Sequence, residues 1–556
     1  MSAPFATHDV FNQTPALGDI NLWAGDGALI GAVRAFGPAG KIDETALAAF
    51  GQRWGAAAMA EYGRLANENP PKLHAYDARG SRADVVEFHP AYHALMREAV
   101  AAGIHSSVWG EDGGLAAPGA FVVRAALLHM QAEVEQGHQC PIVMTNAATA
   151  ALKAEPSLMK EWLPRIRSRE YDPHFLPAAK KTGATLGMGM TEKQGGSDVR
   201  ANTTRAEADG DGYRIVGHKW FFSAPMCDAF LVLAQAKEGL TCFLVPRFRP
   251  DGSVNALRLI RLKDKLGNRS NASAEVEFEG AYAQRCGAEG AGIKTIIEMV
   301  QLTRLDCVVA SAGLMRAALV QAIHHARHRS VFQKKLADQP LMRAVIADLA
   351  LEREGAVALA MRIAAAFDRA GSDAEEAAFA RLVTPAAKLW ICKAAPGFVY
   401  EAMECIGGNG YVEEWPLARF YREAPVNAIW EGSGNIMALD FLRGAAREQE
   451  GLAALIAKLE KSVGDLPGAG TAIARLKHGL ADPRREANAR RTTEALALLA
   501  AADALKQGAS VEIAEGFARN RLAGLTGRNF GDSLPDGLTD ALLERSLASQ
   551  DQAVDS

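Results

Sequence analysis

Two short segments combine residue types that could bind a planar ligand and move a proton. Residues 187–198 contain glycines and short hydroxyl side chains, so backbone N–H groups can approach a planar, electron-rich molecule closely. Residues 429–436 set the carboxylate of Glu431 just before Gly-Ser-Gly-Asn, a predicted helix start whose free N–H groups favour negative charge. Together the segments predict a binding site with one carboxylate positioned to accept a proton.

The elements that must position these segments follow from the hydrophobic pattern. Helical periodicity dominates the first 180 or so residues, for example at 120–134 and 147–162. From about 186 to 282, short β-branched and aromatic runs separated by Asp-Gly turns predict an antiparallel β domain. Three long amphipathic stretches follow, ending near residues 332, 370 and 406, and they predict a helix bundle.

The chain has 556 residues, which is too long for one hydrophobic core. We expect four domains: an N-terminal helical domain at 1–183, a β domain at 184–290, a helical bundle at 291–445 and a C-terminal helical domain at 446–556. No alternating βα rhythm is present, and the glycine segment lacks the third glycine of a dinucleotide-binding fingerprint. A doubly wound dinucleotide fold is therefore not expected.

Bulk composition narrows the class of protein. The formal net charge of −4 gives no support to nucleic-acid binding by the chain as a whole, so such a role would need a local basic patch. Seven scattered cysteines without a C-x-x-C pair predict reduced thiols in the cytoplasm. His324, His325 and His328 have a spacing that can bind zinc, but no glutamate between them and no acidic third ligand accompany it, so we expect no metal site.

The order of elements and the motifs Met-Thr-Glu (190–192), Gly-Gly-Ser-Asp (195–198) and Trp-Glu-Gly (430–432) resemble the acyl-CoA dehydrogenase superfamily. Residues 11–13, 63–71, 263–272 and 425–430 further resemble one branch, a bacterial flavoprotein of the adaptive response to DNA alkylation. The resemblance spans nearly the whole chain. It implies an α+β, mainly α fold: N-terminal helices, a central antiparallel β-barrel or sandwich, a helical bundle, and a C-terminal helical DNA-binding domain.

The resemblance implies an FAD site between the glycine segment and the Trp-Glu-Gly segment. Ser223 would supply a hydroxyl to the flavin, and Trp220 and Phe221 would lie along its edge and face. Taken alone, such an aromatic run is usually the core of a strand. The implied cofactor-binding residues are Met188, Gly189, Met190, Thr191, Ser197, Trp220, Phe221, Phe222, Ser223, Arg329, Phe332, Ile429, Trp430, Gly432, Ser433, Gly434 and Asn435.

In this superfamily a neighbouring subunit often completes the FAD site through an Arg-x-x-Phe element. Here that element is Arg329 to Phe332, and it would meet the glycines at 407–411 across the subunit boundary. Paired guanidinium hydrogen bonds suit a pyrophosphate. Glu404 departs from the pattern, because many relatives carry glutamine there and a carboxylate would repel phosphate. Sharing implies at least a dimer, and the resemblance implies a homotetramer.

The resemblance assigns the role of catalytic base to Glu431. Acyl-CoA dehydrogenation needs a base on one face of the Cα–Cβ bond and the flavin on the other, and a carboxylate in a dry site can reach a suitable pKa. A related branch carries its base on the long helix, where this chain has Thr303, which cannot serve. The alternative is that Glu431 is only a charge near a helix N-terminus.

The C-terminal segment carries two basic clusters, which suit phosphate contacts, although acidic residues are interspersed and such a run is often only a solvated helix face. The resemblance favours DNA binding by this segment. The implied DNA-binding residues are Arg443, Arg475, Lys477, Arg484, Arg485, Arg490, Arg491, Arg519 and Arg521, with Arg528 in the second cluster. No recognition-helix motif is evident, so we expect sequence-tolerant binding to double-stranded DNA.

Three functions remain open from the sequence. The preferred one is an FAD protein that binds double-stranded DNA and protects it from alkylation, by shielding it or by deactivating alkylating agents, with weak isovaleryl-CoA dehydrogenase activity. The second is a metabolic dehydrogenase of short branched acyl-CoA without a DNA role. The third is a DNA coat protein in which FAD is only structural.

Overall fold

The computed structural model describes residues 7–524 and 536–547, and in it helices lie on both sides of a central sheet along the chain. The first part contains seven helices and one hairpin: α1 Gly27–Phe36, α2 Glu44–Trp54, α3 Ala57–Glu68, β1 Lys72–Tyr76, β2 Arg82–Glu87, α4 Pro90–Ala102, α5 Ala120–Ala132, α6 Gln139–Leu152 and α7 Pro156–Ile166. The β1–β2 hairpin was not predicted from the sequence.

The helix predicted at 120–134 is confirmed as α5. The single helix predicted at 147–162 is wrong, because α6 ends at Leu152 and α7 begins at Pro156. Proline disfavours the helical conformation in the residue before it and suits the first position of a new helix. Glu155 accordingly has an extended backbone, and the chain turns there.

The central sheet has seven strands: β3 Leu186–Gly189, β4 Arg205–Asp209, β5 Gly212–Ser223, β6 Ala229–Ala236, β7 Gly239–Pro246, β8 Leu257–Leu262 and β9 Ser273–Arg285. Strands β6, β4, β5, β9 and β7 pair in that order, and β7 pairs with β6 again, which closes a barrel. Closure leaves few free edges. The predicted purely antiparallel arrangement is wrong in one respect, since β3 and β4 each pair with β6 in parallel.

The helical bundle is built on three long helices. Its elements are α8 Gly292–His328, the hairpin β10 Ser330–Val331 with β11 Lys334–Lys335, α9 Pro340–Arg369, α10 Ala374–Ile406, α11 Gly408–Tyr411, α12 Pro416–Glu423 and α13 Gly434–Arg447. These bounds confirm the three predicted long helices. Among the described residues, α8 alone is long and apolar enough to cross a membrane, and 89% of its most apolar window is buried inside the protein, as in a core helix.

The last part contains α14 Gln449–Val463, α15 Ala469–Ala481, α16 Ala489–Gly508, α17 Val511–Phe517 and α18 Asp536–Leu547. These helices share the apolar core of α9 and α10: Phe517 is fully buried, and its ring packs on Trp390 and leaves no room for a side chain at Gly355. Arg545 of α18 forms an ion pair with Glu354 of α9 at 2.8 Å. The C-terminal segment is therefore packed into the bundle rather than tethered to it.

Candidate functional site

The glycine segment at 187–198 is held against the barrel by a buried ion pair. Loop residues after β3 are fixed by Glu192, whose carboxylate accepts hydrogen bonds from the backbone N–H of Thr203 (2.7 Å) and of Thr204 (3.1 Å) and from Lys219 Nζ (2.8 Å). Burial raises the pKa of Glu192, but the Lys219 ammonium and these N–H donors outweigh it and lower the pKa to about 2. The loop is thus anchored to strand β5 through a charged pair.

The second segment is held by a lysine that sequence reasoning missed. Lys388 of α10 is 2% exposed, and its Nζ donates to the carbonyl oxygens of Asn427 (2.9 Å), Trp430 (2.9 Å) and Gly432 (2.8 Å). The loop between these carbonyls holds Glu431 in the left-handed region, with φ of 56°. A non-glycine residue in that region costs of order 1 kcal/mol or more, and such strain is concentrated at functional sites.

The Glu431 side chain is engaged by the long helix α8. Thr303 Oγ1 donates to Glu431 Oε2 at 2.6 Å, and Arg304 Nε donates to the Glu431 carbonyl at 3.1 Å. Thr303 occupies the position where a related branch has its base, and here it orients a carboxylate instead of replacing it. Arg304 is itself fixed by Asp440, which also accepts two hydrogen bonds from Arg381. The Glu431 carboxylate therefore has a defined direction.

A cavity of about 670 Å³ lies beside this network. Its wall includes Gln301 of α8, whose side-chain amide is buried with no hydrogen-bond partner among the described residues. The lining combines the glycine loop, α8, α10 and α13: Ser197, Asp198, Val199, Arg200, Ile293, Ile297, Glu298, Gln301, Arg381, Asp440, Arg443 and Arg447. Its size suits an organic ligand. Arg381 is paired with Asp440, so Arg200, Arg443 and Arg447, which lie beside Asp198 and Glu298 in the lining, are the arginines left to meet an anionic group.

Most of the residues predicted to contact FAD are partly or fully exposed, on the β domain and on the Glu431 loop. The side chain of Phe221 is 53% exposed and that of Ile429 is 66% exposed. Trp430 packs against the β-domain core, which brings the two segments to one place. The partly or fully exposed predicted residues are Met188, Met190, Thr191, Ser197, Trp220, Phe221, Ser223, Ile429, Trp430, Gly432, Ser433, Gly434 and Asn435.

The structure contradicts the prediction that the Phe222 side chain contacts FAD. Phe222 is fully buried between Phe230 and Phe278 in the barrel core, because alternate residues of a strand face opposite sides, so it has no surface to offer a cofactor. Gly189 is also buried, and a Cβ there would lie 2.4 Å from the Phe222 ring. The glycine at 189 is thus required by packing inside the barrel.

The Arg-x-x-Phe element forms the β10–β11 hairpin. Arg329 Nη1 donates to the carbonyl of Asn12 at 2.6 Å, so part of the guanidinium predicted for a pyrophosphate holds the N-terminal segment. Phe332 is 89% exposed, and Phe332 and Gln333 both have positive φ, of 52° and 65°. Two such residues form a tight hairpin turn that usually carries asparagine or glycine. The strain projects an aromatic side chain away from its own chain.

The residues predicted to bind DNA differ in their exposure and in their ion pairs. Arg443, Arg475, Arg484, Arg485, Arg491 and Arg519 are exposed. The structure contradicts the prediction that Arg521 binds DNA. Arg521 pairs with Asp348 at 2.7 Å and with Glu352, and because all three side chains are largely buried, Arg521 cannot face DNA. Lys477 pairs with Glu460 on the surface. Arg528 lies outside the described residues.

Arg490 joins the basic segment to the Glu431 loop. Its Nε donates to Asn435 Oδ1 at 2.7 Å, at the start of α13. The C-terminal arginines at 484–491 therefore adjoin the predicted flavin loop, an arrangement that the sequence did not indicate.

The histidines on α8 bond within the chain. His324 Nε2 hydrogen-bonds to the Pro15 carbonyl, His325 Nδ1 to Thr14 Oγ1, and His328 Nδ1 to the His324 carbonyl. His324 and His325 thereby anchor the N-terminal segment. Among the described residues, a separate group, Asp26, His129 and Glu133, has metal-ligand geometry, but the guanidiniums of Arg316 and Arg353 contact Asp26 there and oppose a cation.

The fold and this site define a class of protein: the chain belongs to the acyl-CoA dehydrogenase family. Profiles of the acyl-CoA dehydrogenase middle and C-terminal domains match residues 187–281 and 290–446. The profile of the adaptive response protein AidB N-terminal domain matches residues 12–173. Within the family, the chain is 51% identical to AidB of Escherichia coli strain K12, which is named as an acyl-CoA dehydrogenase, over 92% of this chain and 94% of that protein.

Two further matches extend this similarity. The chain is 32% identical to acyl-CoA dehydrogenase family member 11 of Caenorhabditis elegans over 72% of this chain and 67% of that protein. The solved structure of Caenorhabditis elegans ACDH-11 in complex with C11-CoA matches with a TM-score of 0.82 at 27% identity, covering 98% of this chain and 93% of that chain.

FAD is the cofactor of this chain. The residues present fit a flavin: an exposed aromatic ring at Phe221 beside the hydroxyl of Ser223, and a glycine loop in which a Cβ at Gly196 would lie 2.3 Å from Thr191 Oγ1. Only glycine leaves that hydroxyl free to meet a ligand.

Proposed function

We propose that this chain is an FAD-containing protein that binds double-stranded DNA and protects it against alkylation damage. It would shield DNA and deactivate alkylating agents at the flavin site, and it would retain weak isovaleryl-CoA dehydrogenase activity. The observation that carries the proposal is the contact of Arg490 with Asn435, because it sets the basic C-terminal segment beside the Glu431 loop. DNA held by that segment would lie next to the catalytic pocket.

The DNA part is supported by the charges of residues 475–519. Arg485 and Arg519 have no carboxylate within ion-pair distance in the described part of the chain, and Arg484 is 83% exposed at its side chain, 3.8 Å from Asp482. Exposed guanidiniums without a close internal ion pair can neutralise phosphates without first breaking a strong internal bond. Among the described residues, the cluster offers no helix shaped to read bases, so phosphate contacts would dominate.

A duplex titration over a range of salt concentrations tests this part. The triple variant Arg484→Ala, Arg485→Ala, Arg491→Ala should bind more weakly than wild type. Its log–log salt slope should fall in magnitude by about 0.9 for each lost phosphate contact, up to about 3 in total. The residue Arg490 is left intact so that the Glu431 loop is not disturbed.

The matched control removes three exposed arginines of the β domain: Arg205→Ala, Arg214→Ala and Arg249→Ala. This variant carries the same net charge as the first. Equal losses in the two triple variants would mean that overall charge, and no local surface, determines binding. Salt-independent affinity of the wild-type protein would contradict the proposal directly.

The enzyme part rests on Glu431 and on the cavity of about 670 Å³, whose lining residue Asp440 pairs with Arg304, the arginine that bonds to the Glu431 carbonyl. FAD supplies hydride acceptance when it is bound. Glu431, oriented by Thr303, would take the proton from the acyl Cα, and the arginines of the cavity wall would hold the anionic part of an acyl-CoA. A carboxylate held by one short hydrogen bond can accept a proton without moving far.

Isovaleryl-CoA and an electron acceptor test this part. Glu431→Gln should keep the flavin absorption spectrum and lose bleaching of the flavin by isovaleryl-CoA. Thr303→Val, which removes only the orienting hydroxyl, should slow bleaching by a factor of about ten to a hundred. Bleaching at the wild-type rate in Glu431→Gln would remove this residue from the reaction.

A homotetramer that shares the FAD site is part of the proposal. It is supported by the strained turn that exposes Phe332, and by Tyr411, which is 81% exposed next to the glycines at 407–410. A large exposed aromatic on a strained turn is costly unless a partner covers it. Phe332→Ser should shift the mass measured by light scattering to smaller assemblies and weaken FAD binding. An unchanged mass and FAD affinity would refute the shared site.

A metabolic dehydrogenase without a DNA role is the second candidate. The cavity of about 670 Å³ with a competent base favours it. Rapid turnover of a branched acyl-CoA, together with no measurable duplex binding, would decide for this candidate.

A further inference from the structure

A chain of hydrogen bonds runs from the predicted flavin contact Ser223 into the protein. Ser223 Oγ lies 3.3 Å from Ser273 Oγ, at the paired ends of β5 and β9. Lys265 Nζ donates to Ser273 Oγ at 3.1 Å and to the Asn271 carbonyl at 2.7 Å. Lys265 has no carboxylate within ion-pair distance among the described residues, so its charge is not neutralised locally.

The chemistry of these groups sets the direction of the chain. An ammonium only donates, so Ser273 Oγ accepts from Lys265 and its own hydrogen is free to point to Ser223. Ser223 then accepts, and its hydrogen is left to point outward, toward the surface beside Phe221, or to the Cys140 thiol, which is also within its hydrogen-bonding reach. The Lys265 ammonium at the inner end of this hydrogen-bond chain thus orients both serine hydroxyls.

We infer that Lys265 is a positioning residue that, through Ser273, orients the Ser223 hydroxyl as a donor to the flavin and raises the reduction potential of the flavin. This inference rests on the proposed placement of the flavin against Ser223. Reduction adds electrons to the ring, and a hydrogen bond donated by Ser223 stabilises the electron-rich form.

The surroundings of Lys265 keep the ammonium charged at neutral pH. Burial lowers its pKa to about 8, and Cys140, Glu423 and Glu135 oppose that fall. Burial in turn raises the pKa of Glu423 to about 7 and that of Cys140 to about 11. Neither of these two groups is fully ionised at pH 7. Burial raises the pKa of Glu135, but its hydrogen bonds with His138 outweigh burial and lower the pKa to about 2, so Glu135 is ionised; it is bonded to His138, Asn67 and Ser270 and not to Lys265.

The test is the midpoint potential of the bound flavin in the full-length, FAD-loaded protein, measured by equilibration with a reference dye. Lys265→Met and Ser273→Ala should each lower the equilibrium constant for two-electron reduction about tenfold, which is about 30 mV. Because the two residues act in series, the double variant should shift no further than either single variant. Lys153→Met, which removes an exposed lysine over the Trp109 ring, should leave the potential unchanged.

Ser223→Ala separates this inference from the proposed site. A shift in Ser223→Ala without a shift in Ser273→Ala or Lys265→Met overturns the role of Lys265 and keeps the flavin placement. No change of potential or spectrum in Ser223→Ala overturns the placement itself, and the inference with it. Ser273→Ala removes one oxygen atom only, so it gives a result even where Lys265→Met fails to fold.

Discussion

Replacement of Lys388 by methionine tests how the Glu431 loop is held. The lysine donates three hydrogen bonds to loop carbonyls, and charge-assisted bonds are worth about 1.5–3 kcal/mol each. The gross loss is roughly 5–9 kcal/mol. A buried ammonium also costs several kcal/mol in desolvation, and methionine removes that cost while keeping most of the volume. We therefore expect a net loss of about 2–4 kcal/mol.

The loss should appear locally, because the three carbonyls belong to one loop. Hydrogen–deuterium exchange of the peptide covering residues 427–434 should become at least about thirtyfold faster, since 2 kcal/mol corresponds to about that factor. Lys153→Met serves as the control, since its ammonium lies over the Trp109 ring and does not bond to this loop. It should leave the exchange of residues 427–434 unchanged.

The result that would refute this reasoning is unchanged exchange at 427–434 in Lys388→Met. A fall in melting temperature with no local change would also refute it, because it would show that Lys388 supports the bundle and not the loop. If the proposed dehydrogenation of isovaleryl-CoA is observed in the wild-type protein, its rate in this variant gives a second measurement, and it should fall with the loss of loop protection.

Three further predictions concern stability. Burial raises the pKa of Glu133 from 4.5 to about 8, so its stabilising contribution is complete below pH 4.5 and is lost as pH rises through 8. In denaturant unfolding, the free energy of unfolding of Glu133→Gln should rise relative to that of wild type by on the order of 4 kcal/mol between pH 4.5 and 8.5. The same pH dependence of this free energy in both proteins would contradict the prediction. Arg521→Met should remove the guanidinium that pairs with two buried carboxylates and cost about 3–5 kcal/mol while duplex affinity holds, and the reverse pattern would restore Arg521 as a DNA contact. Gly355→Ala should cost about 1–3 kcal/mol in calorimetry through overpacking against Phe517, and Phe517→Leu should relieve it.

Much of the fold could be predicted from local patterns. The lengths of α8, α9 and α10 follow from their periodicity, with a proline at the start of α9 and acidic residues at the start of α10. The short strands with Asp-Gly turns predict the β domain. The parallel pairing of β3 with β6 could not be predicted so well, because partner choice in a sheet depends on residues far apart in the chain. The break before Pro156 has a local cause, the proline itself, which the continuous helical periodicity concealed.

In the candidate site, too, the sequence indicates some features and only the structure reveals the others. Residue types alone indicate the glycine loop and Glu431, because these chemistries are written in a few adjacent positions. Only the tertiary structure decides that Phe221 faces outward while Phe222 is core, since one residue of shift exchanges the two faces of a strand. It also decides that Arg521 is bound internally, through a pairing with Glu352 that spans 169 positions.

The sequence by itself thus determined which elements form and which residues carry the chemistry, since both follow from interactions between near neighbours. The tertiary structure decided which of those residues are free to act. Thr303 reaches Glu431 across 128 positions, Lys388 reaches the same loop from another helix, and Arg490 is turned to Asn435. Such contacts depend on the packing of whole helices, and no local pattern specifies them.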